Sequence, residues 1–395
     1  MEASVWASDV LVCALSQPSL IDVMSKIRLF LLSIFIVLLS PFAAMTIIGT
    51  YYSFNVISGI KHLVVSDLRP QPGSLQLKYK QLPSSRVEWL ADIESYDVDE
   101  SSGLATSNYQ DNLLWTINDS GNDPILFGID LNGQLRAVVE VGTDKNTDWE
   151  GLASFSFNGK SYLLIGDIGD NFRWRETLHL ILIQEPTIPA TTTQQPLEPI
   201  EISIKPNKEI EYSYPEGFRD AEGLAYDPID QLALVISKRN HPPELYGISL
   251  DLNRPASTSK QVAQLIAQLP HLPQPVEEEV DMDNQAVYRH SPTGMDLRTI
   301  NGKRNLLITT YQHAYLYAAD AYLNGQQPFQ IRLPRIGQRE AIVFAKEAAQ
   351  GTNTQTVQDP QETQKVFISR ERIELGGAAD FFQISFDWLE TGIGQ

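Results

Sequence analysis

The stretch Asp148-Trp-Glu-Gly-Leu-Ala-Ser-Phe-Ser-Phe-Asn-Gly-Lys-Ser-Tyr-Leu-Leu-Ile-Gly-Asp-Ile-Gly-Asp-Asn171 reads as a β-hairpin. Glu150-Gly-Leu152 opens the first strand, Asn158-Gly159 makes the turn, and residues 162–165 form the second strand. Asn and Gly tolerate the positive φ that a two-residue hairpin turn demands, so this dipeptide between apolar runs is a strong hairpin signal. The second strand runs into an acidic, glycine-bearing loop, Asp167-Ile-Gly-Asp-Asn171.

The same plan recurs on both sides of this hairpin. Unit one starts at Ser102-Gly-Leu104, continues through Leu113-Leu-Trp-Thr-Ile117 into the loop Asn118-Asp-Ser-Gly-Asn122, and has outer strands over 125–131 and 135–141. Unit two is the hairpin itself, with outer strands near 178–183 and 200–204. Unit three starts at Glu222-Gly-Leu224, then 232–237, the loop Lys238-Arg-Asn-His-Pro-Pro243, and outer strands over 245–250 and 262–269. Unit four starts at Gly294-Met-Asp-Leu297 and continues over 305–310, 315–318 and 329–333. Unit five starts at Glu340-Ala-Ile342 and continues over 366–369 and 381–386.

Short strands at close, repeated spacing indicate repeated sheets rather than one sandwich. Unit five lacks a fourth strand, and Trp89-Leu-Ala-Asp-Ile93, ahead of unit one, is a spare. Pairing the two closes a circle and removes the open edge. The expectation is an all-β β-propeller of five four-stranded antiparallel blades, or six if a further blade lies within 222–294. Residues 186–199, 277–283 and 345–364 read as polar surface connections outside the blade plan.

Composition sets the wider frame. The chain has 395 residues, 43% hydrophobic, a formal net charge of −19 and pI ≈ 4.7. That acidic balance argues against a nucleic-acid partner, because neutralising phosphates takes Lys and Arg. It suits a soluble surface, a cation or a basic partner. Cys13 is the one cysteine, so no intrachain disulfide forms.

From Leu29 to Ile60 there is no charged residue, and the apolar run 29–48 alone has 20 residues, the length of a spanning helix. Lys26 and Arg28 precede it, so the positive-inside rule puts the N-terminus in the cytoplasm and the body outside. A cleaved signal peptide is the competing reading, but Phe42-Ala-Ala44 sets a bulky residue where a small one is wanted. The expected organisation is a cytoplasmic tail over 1–28, with Met24 a more conventional start, and a signal-anchor over 29–50. A tether with short strands follows over 51–85, then the propeller over 86–395 on the periplasmic or extracellular side.

In an antiparallel blade the start of the innermost strand and the end of the second strand share one face, close to the central channel. Strand starts contribute Glu150, Glu222, Asp296 and Glu340. Second-strand ends contribute Asn118, Asp119, Asp167, Asp170, Asn171, Lys238, Arg239, Tyr311, His313, Arg370 and Glu371. The result is one mixed-charge funnel, open to three readings. Glu150, Glu222, Lys238, Arg239, Tyr311, Glu340 and Arg370 form a ligand-binding face, or pair with one another as structure. Asp167, Asp170, Asn171, Asn118 and Asp119 supply oxygen ligands beside glycine turns, which suits calcium, although these residues are also ordinary turn formers. Alternatively, His313 or Glu222 serves as a general base while Lys238 and Arg370 hold an anionic group. No Gly-x-Ser-x-Gly, His-Glu-x-x-His or P-loop motif is present.

Five segments carry a resemblance: Glu100-Ser-Ser-Gly-Leu104, Asp148-Trp-Glu-Gly-Leu152, Asp167-Ile-Gly-Asp-Asn171, Asp220-Ala-Glu-Gly-Leu224 and Thr293-Gly-Met-Asp-Leu297. From about Val87 onward the chain resembles exported bacterial β-propellers of the SdiA-regulated and phytase-like (esterase-like) groups, within the TolB/gluconolactonase-like assembly. That resemblance implies an exported protein, often with six blades, and in some relatives a central calcium ion and ester hydrolysis. The expected function is a membrane-anchored binding or scaffolding module for a small-molecule or protein ligand. The alternative is a calcium-dependent hydrolase of phosphate or carboxylic esters acting at the same face.

Overall fold

A computed structural model describes residues 78–82, 84–189, 198–253, 260–274, 289–333, 339–346, 363–370 and 379–387. The segment 29–50 and the tail before it lie outside the described residues, as does Glu371. Among the described residues no helix is long and apolar enough to cross a membrane. All described strands belong to one compact unit, Ser53–Gln395.

The described chain opens with β1 (Lys80–Leu82) and β2 (Ser84–Asp92). Blade one follows as β3 (Ser101–Thr106), β4 (Leu113–Asn118), β5 (Ile125–Asp130) and β6 (Leu135–Val141). Blade two is β7 (Trp149–Phe157), β8 (Lys160–Asp167), β9 (Leu178–Gln184) and, after the separate strand β10 (Ile200–Ile204), β11 (Lys208–Ser213). Blade three is β12 (Ala221–Asp227), β13 (Leu232–Ser237), β14 (Glu244–Ser249) and, after the separate strand β15 (Gln261–Val262), β16 (Gln264–Gln268). Blade four is β17 (Pro292–Ile300), β18 (Lys303–Thr310), β19 (His313–Tyr317) and β20 (Phe329–Arg332). Blade five is β21 (Arg339–Phe344), β22 (Thr363–Arg370) and β23 (Asp380–Asp387).

Five sheets result, and among the described residues of 222–294 there is no sixth blade. The closure expected from the spare strand is present: β2 pairs antiparallel with β23, Trp89 opposite Phe382. The hairpin at the centre of the sequence forms as read, with Asn158 (φ 49°) and Gly159 (φ 73°) in its turn.

Two outer strands differ from the sequence reading. Residues 200–204 do not complete blade two; β10 runs parallel to β6 on the outside of blade one, Ile200 opposite Ala137. The fourth strand of blade two is β11, paired with β9. The run 262–269 is likewise split: β15 lies parallel to β11 of blade two, and only β16 belongs to blade three. In the same way β1 lies parallel to β20 of blade four. In all three cases the segment just before a blade's fourth strand first covers the outer edge of the preceding blade. An edge strand offers unpaired N–H and C=O groups, and a parallel fifth strand satisfies them within the chain.

The core sits between blades. Five hydrophobic clusters form, each shared by two neighbouring blades: Trp115 with Ile165, Leu180 with Val235, Ile236 with Ile308, Leu316 with Ile368, and Leu104 with Phe367. A middle strand therefore faces apolar neighbours on both sides, which is why β4 is buried at every position.

The recurrent glycine is explained by the spacing of the inner strands. A Cβ on Gly151 would lie 2.4 Å from the Cβ of Leu224, one on Gly103 would lie 2.8 Å from that of Leu152, and one on Gly223 would lie 2.9 Å from that of Met295. Each glycine is the seat for the residue that follows the glycine of the next blade. The Gly-Leu repeat records this close approach around the axis.

Candidate functional site

Every inner strand is bulged at one place. The pairing of β3 with β4 slips between Ser101 and Gly103, that of β7 with β8 between Trp149 and Gly151, and that of β12 with β13 between Ala221 and Gly223. The same slip falls between Pro292 and Gly294 in blade four, and between Arg339 and Ala341 in blade five. The skipped residues are Ser102, Glu150, Glu222, Thr293 and Glu340. A bulge frees one residue from the ladder and re-aims its side chain. All five are buried. Ser102, Glu150 and Glu222 line a void of about 10 Å³ on the axis, room for roughly one water or small ion.

This register corrects one assignment. The blade-four equivalent of Glu150 is Thr293, whose hydroxyl donates to the Arg339 carbonyl (2.8 Å). Asp296 lies elsewhere: its carboxylate accepts the backbone N–H groups of Leu297 and Phe344 (both 2.8 Å), tying blade four to blade five. Burial raises its pKa to about 6 against those two hydrogen bonds.

The sequence Asp-x-Glu-Gly-Leu occurs twice, at 148–152 and 220–224, and its two copies meet opposite surroundings. In blade three Lys238 pairs with Glu222, and Arg239 pairs with Asp220 while also reaching Asn171. Burial works to raise the pKa of Asp220, but Lys238 and Arg239 overcome it and hold the group below its ordinary value. In blade two the corresponding cation is taken: Arg175 pairs with Asp167 (2.7 Å) and donates to the Gly169 carbonyl (2.6 Å).

Asp148 and Glu150 instead face another acid, Asp119. Oxygens of Asp119, Asp148 and Glu150 lie within 4.8 Å of one another. Asp148 is 8% exposed and Glu150 4%. Burial, then the charge of Asp119, raises both pKa values well above the carboxylate range; Asp220 adds to the effect at Asp148, and Asp148 itself adds to it at Glu150. Glu150 accepts one hydrogen bond from Ser102 (2.7 Å). The Oδ1 atoms of Asp148 and Asn118, and Oε2 of Glu222, are buried with no hydrogen-bond partner among the described residues. A hard divalent cation fits this all-oxygen donor set.

The expected metal ligands thus divide. Asp119 joins the carboxylate cluster. Asn118 stands next to it, its amide donating to the Asp97 carbonyl (2.7 Å). Asp167 is occupied by Arg175. Asp170 accepts the N–H groups of Trp174 (3.0 Å) and Arg175 (2.9 Å), and burial lifts its pKa to about 6 against them. Asn171 is held by Arg239.

The remaining expected residues lie on the second-strand ends. Tyr311 has Lys238 Nζ 5.8 Å from its ring centroid, and its carbonyl accepts from Arg339. Arg370 binds Asp380 through two nitrogens, at 2.9 and 2.8 Å. His313 starts β19 with its ring against Tyr315, and burial lowers its pKa, helped by His290, Arg339 and Arg332. Glu340 is buried at its bulge. The residue missed by sequence reasoning is Asp148. The signal was present, since residues i and i+2 of an extended chain share a side, as Asp148 and Glu150 do.

No protein-family model matches the chain, and no curated protein matches it. Solved structures do. A gluconolactonase from Xanthomonas campestris is 12% identical, over 80% of this chain and 94% of that one, with a TM-score of 0.38. The PQQ-bound aldose sugar dehydrogenase of Streptomyces coelicolor is 11% identical over 77% and 99%, with a TM-score of 0.37. The major allergen Mala s 1 of Malassezia sympodialis is 11% identical over 75% and 95%, with a TM-score of 0.43. At these identities and scores the likeness carries no ligand or reaction to this chain, and the five-bladed propeller stands on its strand pairing.

Proposed function

We propose that the propeller is a binding module whose charged face engages its ligand through a hard divalent cation, with calcium the candidate tested, held by Asp119, Asp148 and Glu150. One observation carries this reading. The motif shared by blades two and three has its carboxylates neutralised by Lys238 and Arg239 in blade three, whereas in blade two they crowd a third acid. On top of burial, the nearby charge of Asp119 raises the pKa of Asp148 and Glu150, and a bound cation removes that cost. Three protein carboxylates leave much of a six-to-eight-oxygen shell for solvent and for a ligand's own oxygens.

The module is tethered outside the membrane in this reading, through the uncharged run 29–48 behind Lys26 and Arg28. The Glu-Gly-Leu starts favour kinship with SdiA-regulated and phytase-like propellers. One feature favours the alternative, a calcium-dependent ester hydrolase: burial, then the charge of Asp119, pushes Asp148 and Glu150 toward the protonated form, the direction a general acid requires.

The test is thermal melting of the full chain in EDTA and in a calcium series, with D148N and E150Q as variants. Wild-type protein rises in Tm with calcium, and both variants lose most of that rise. A wild-type Tm indifferent to calcium refutes the cation reading. A screen of nitrophenyl acetate and phosphate esters, with and without calcium, separates the two functions: the binding module turns over neither.

A further inference from the structure

Beyond the cation cluster, near Asp220, lies a group of nitrogen atoms with unmet hydrogen-bonding capacity among the described residues. Asp220 connects the two regions, its charge acting on both Asp148 and Arg173. Among the described residues the guanidinium of Arg173 makes no ion pair, and its one hydrogen bond runs from Nη2 to the Arg239 carbonyl (3.3 Å). Its Nε is buried with no partner. Two more guanidiniums, Arg239 and Arg219, lie close enough to oppose its charge, but each has its own carboxylate, Asp220 and Glu244 respectively. The Arg239 carbonyl that Arg173 reaches lies two residues before His241, on which the Arg173 charge also acts, and among the described residues both ring nitrogens of His241 are buried without a partner. The adjacent Asn240 has its side-chain oxygen buried and unpartnered as well.

The backbone gives a second reason to ask what Arg173 does. Its φ is +55°, a left-handed conformation that suits glycine or asparagine and costs stability in a residue with a long side chain. The loop that holds it there is well braced. Asp170 accepts from Trp174 and Arg175, the Arg173 N–H donates to the Asp170 carbonyl (2.8 Å), and the Asp170 N–H donates to Asp220 (3.0 Å). Phe172, 52% exposed, packs on Trp174 with ring centroids 4.8 Å apart.

From this juxtaposition we infer that Arg173 and His241 frame a second site, which takes the carboxylate or phosphate group of a small ligand. An Arg fork matches either anion through paired N–H donors. A histidine N–H adds a third donor, and the Asn240 oxygen accepts from a hydroxyl next to the anionic group. The site rests on the binding-module reading to the extent that it names the chemistry of that module's ligand. It does not require the cation.

The experiment is calorimetric titration of the full chain with inorganic phosphate, and separately with acetate, in EDTA and at constant ionic strength set by chloride. The variants are R173G, H241Q and, as a control, the exposed surface lysine change K303Q. R173G suits the backbone, so it folds at least as well as wild type. Wild type and K303Q bind phosphate or acetate, and the anion that binds identifies which source the site serves. R173G binds it about tenfold more weakly or worse, and H241Q is intermediate. Absence of binding by wild type beyond the chloride control overturns the inference, and so does an R173G affinity equal to wild type. Because EDTA is present throughout, failure here leaves the calcium response standing, and failure of the calcium response leaves this site standing.

Discussion

Replacing Gly169 with alanine puts a methyl group where the carboxylate of Asp148 stands. A Cβ built on Gly169 lies 2.4 Å from both Cγ and Oδ2 of Asp148, and 2.9 Å from Cγ of Glu150. Contacts under 3.0 Å do not occur between real atoms of this kind, so one partner must move. The Asp148 backbone is fixed, so its side chain is what must swing aside. Its N–H donates to Asp167 (3.1 Å), and its carbonyl accepts from Ile168 and Gly169 (both 3.1 Å). Overpacking at a buried site costs about 1–3 kcal/mol. For a chain of this size that lowers Tm by roughly 1–4 °C. The same displacement carries the Asp148 carboxylate out of its cluster with Asp119 and Glu150. If affinity falls about tenfold, the calcium-induced stabilisation at saturating calcium shrinks by about 1.4 kcal/mol. Gly159→Ala is the control. Nothing lies within 4 Å of its Cβ, and only its φ of +73° is offended. It loses about 1 kcal/mol and keeps its full calcium response. Melting of both variants in EDTA and in calcium decides the matter. A G169A protein that melts like wild type and responds fully to calcium refutes the reasoning.

Three further outcomes are expected. Lys238→Met strands Glu222, 4% exposed, without its counter-charge and costs about 3–5 kcal/mol in urea denaturation; it tightens calcium binding rather than weakening it, because one positive charge leaves the neighbourhood of Glu150. His241 is held at about 4 by burial, then by His290 and Arg173, against about 6.5 in an unfolded chain. The lowered value means stability is full above pH 6.5 and is lost as pH falls toward 4, by about 3 kcal/mol; H241Q removes that slope, which denaturation at pH 7.5 and 4.5 measures. Glu185 accepts from Ser107 (2.6 Å), Trp115 Nε1 (3.0 Å) and the Asn108 N–H (3.0 Å), so Glu185→Ala leaves buried donors stranded between blades one and two and costs about 3 kcal/mol, while Glu185→Gln costs less.

The repeat of a small residue and a large apolar one was legible in the sequence because it has a direct geometric cause. Gly103, Gly151, Gly223 and Gly294 each sit against the next inner strand, so the spacing of the motif is the spacing of the blades. The Asn158-Gly159 turn, the middle strands and the closing strand around Trp89 were legible for the same reason, since each depends on local chemistry or on an unsatisfied count of strands. The partners of the outer strands were not. The pattern 200–204 announces a strand, but β10 and β11 look alike along the chain, and only the sheet decides that the first serves blade one and the second blade two.

The charged face divides in the same way. The sequence by itself determined which residues reach it, since strand starts and second-strand ends of a meander must share one end. Only the tertiary structure decided their partnerships. Asp148-Trp-Glu150 and Asp220-Ala-Glu222 are near copies in sequence, yet Lys238 and Arg239 neutralise one while Asp119 crowds the other. A carboxylate's pKa and its appetite for a cation depend on charges a few ångströms away in space, and those neighbours come from strands distant in the chain.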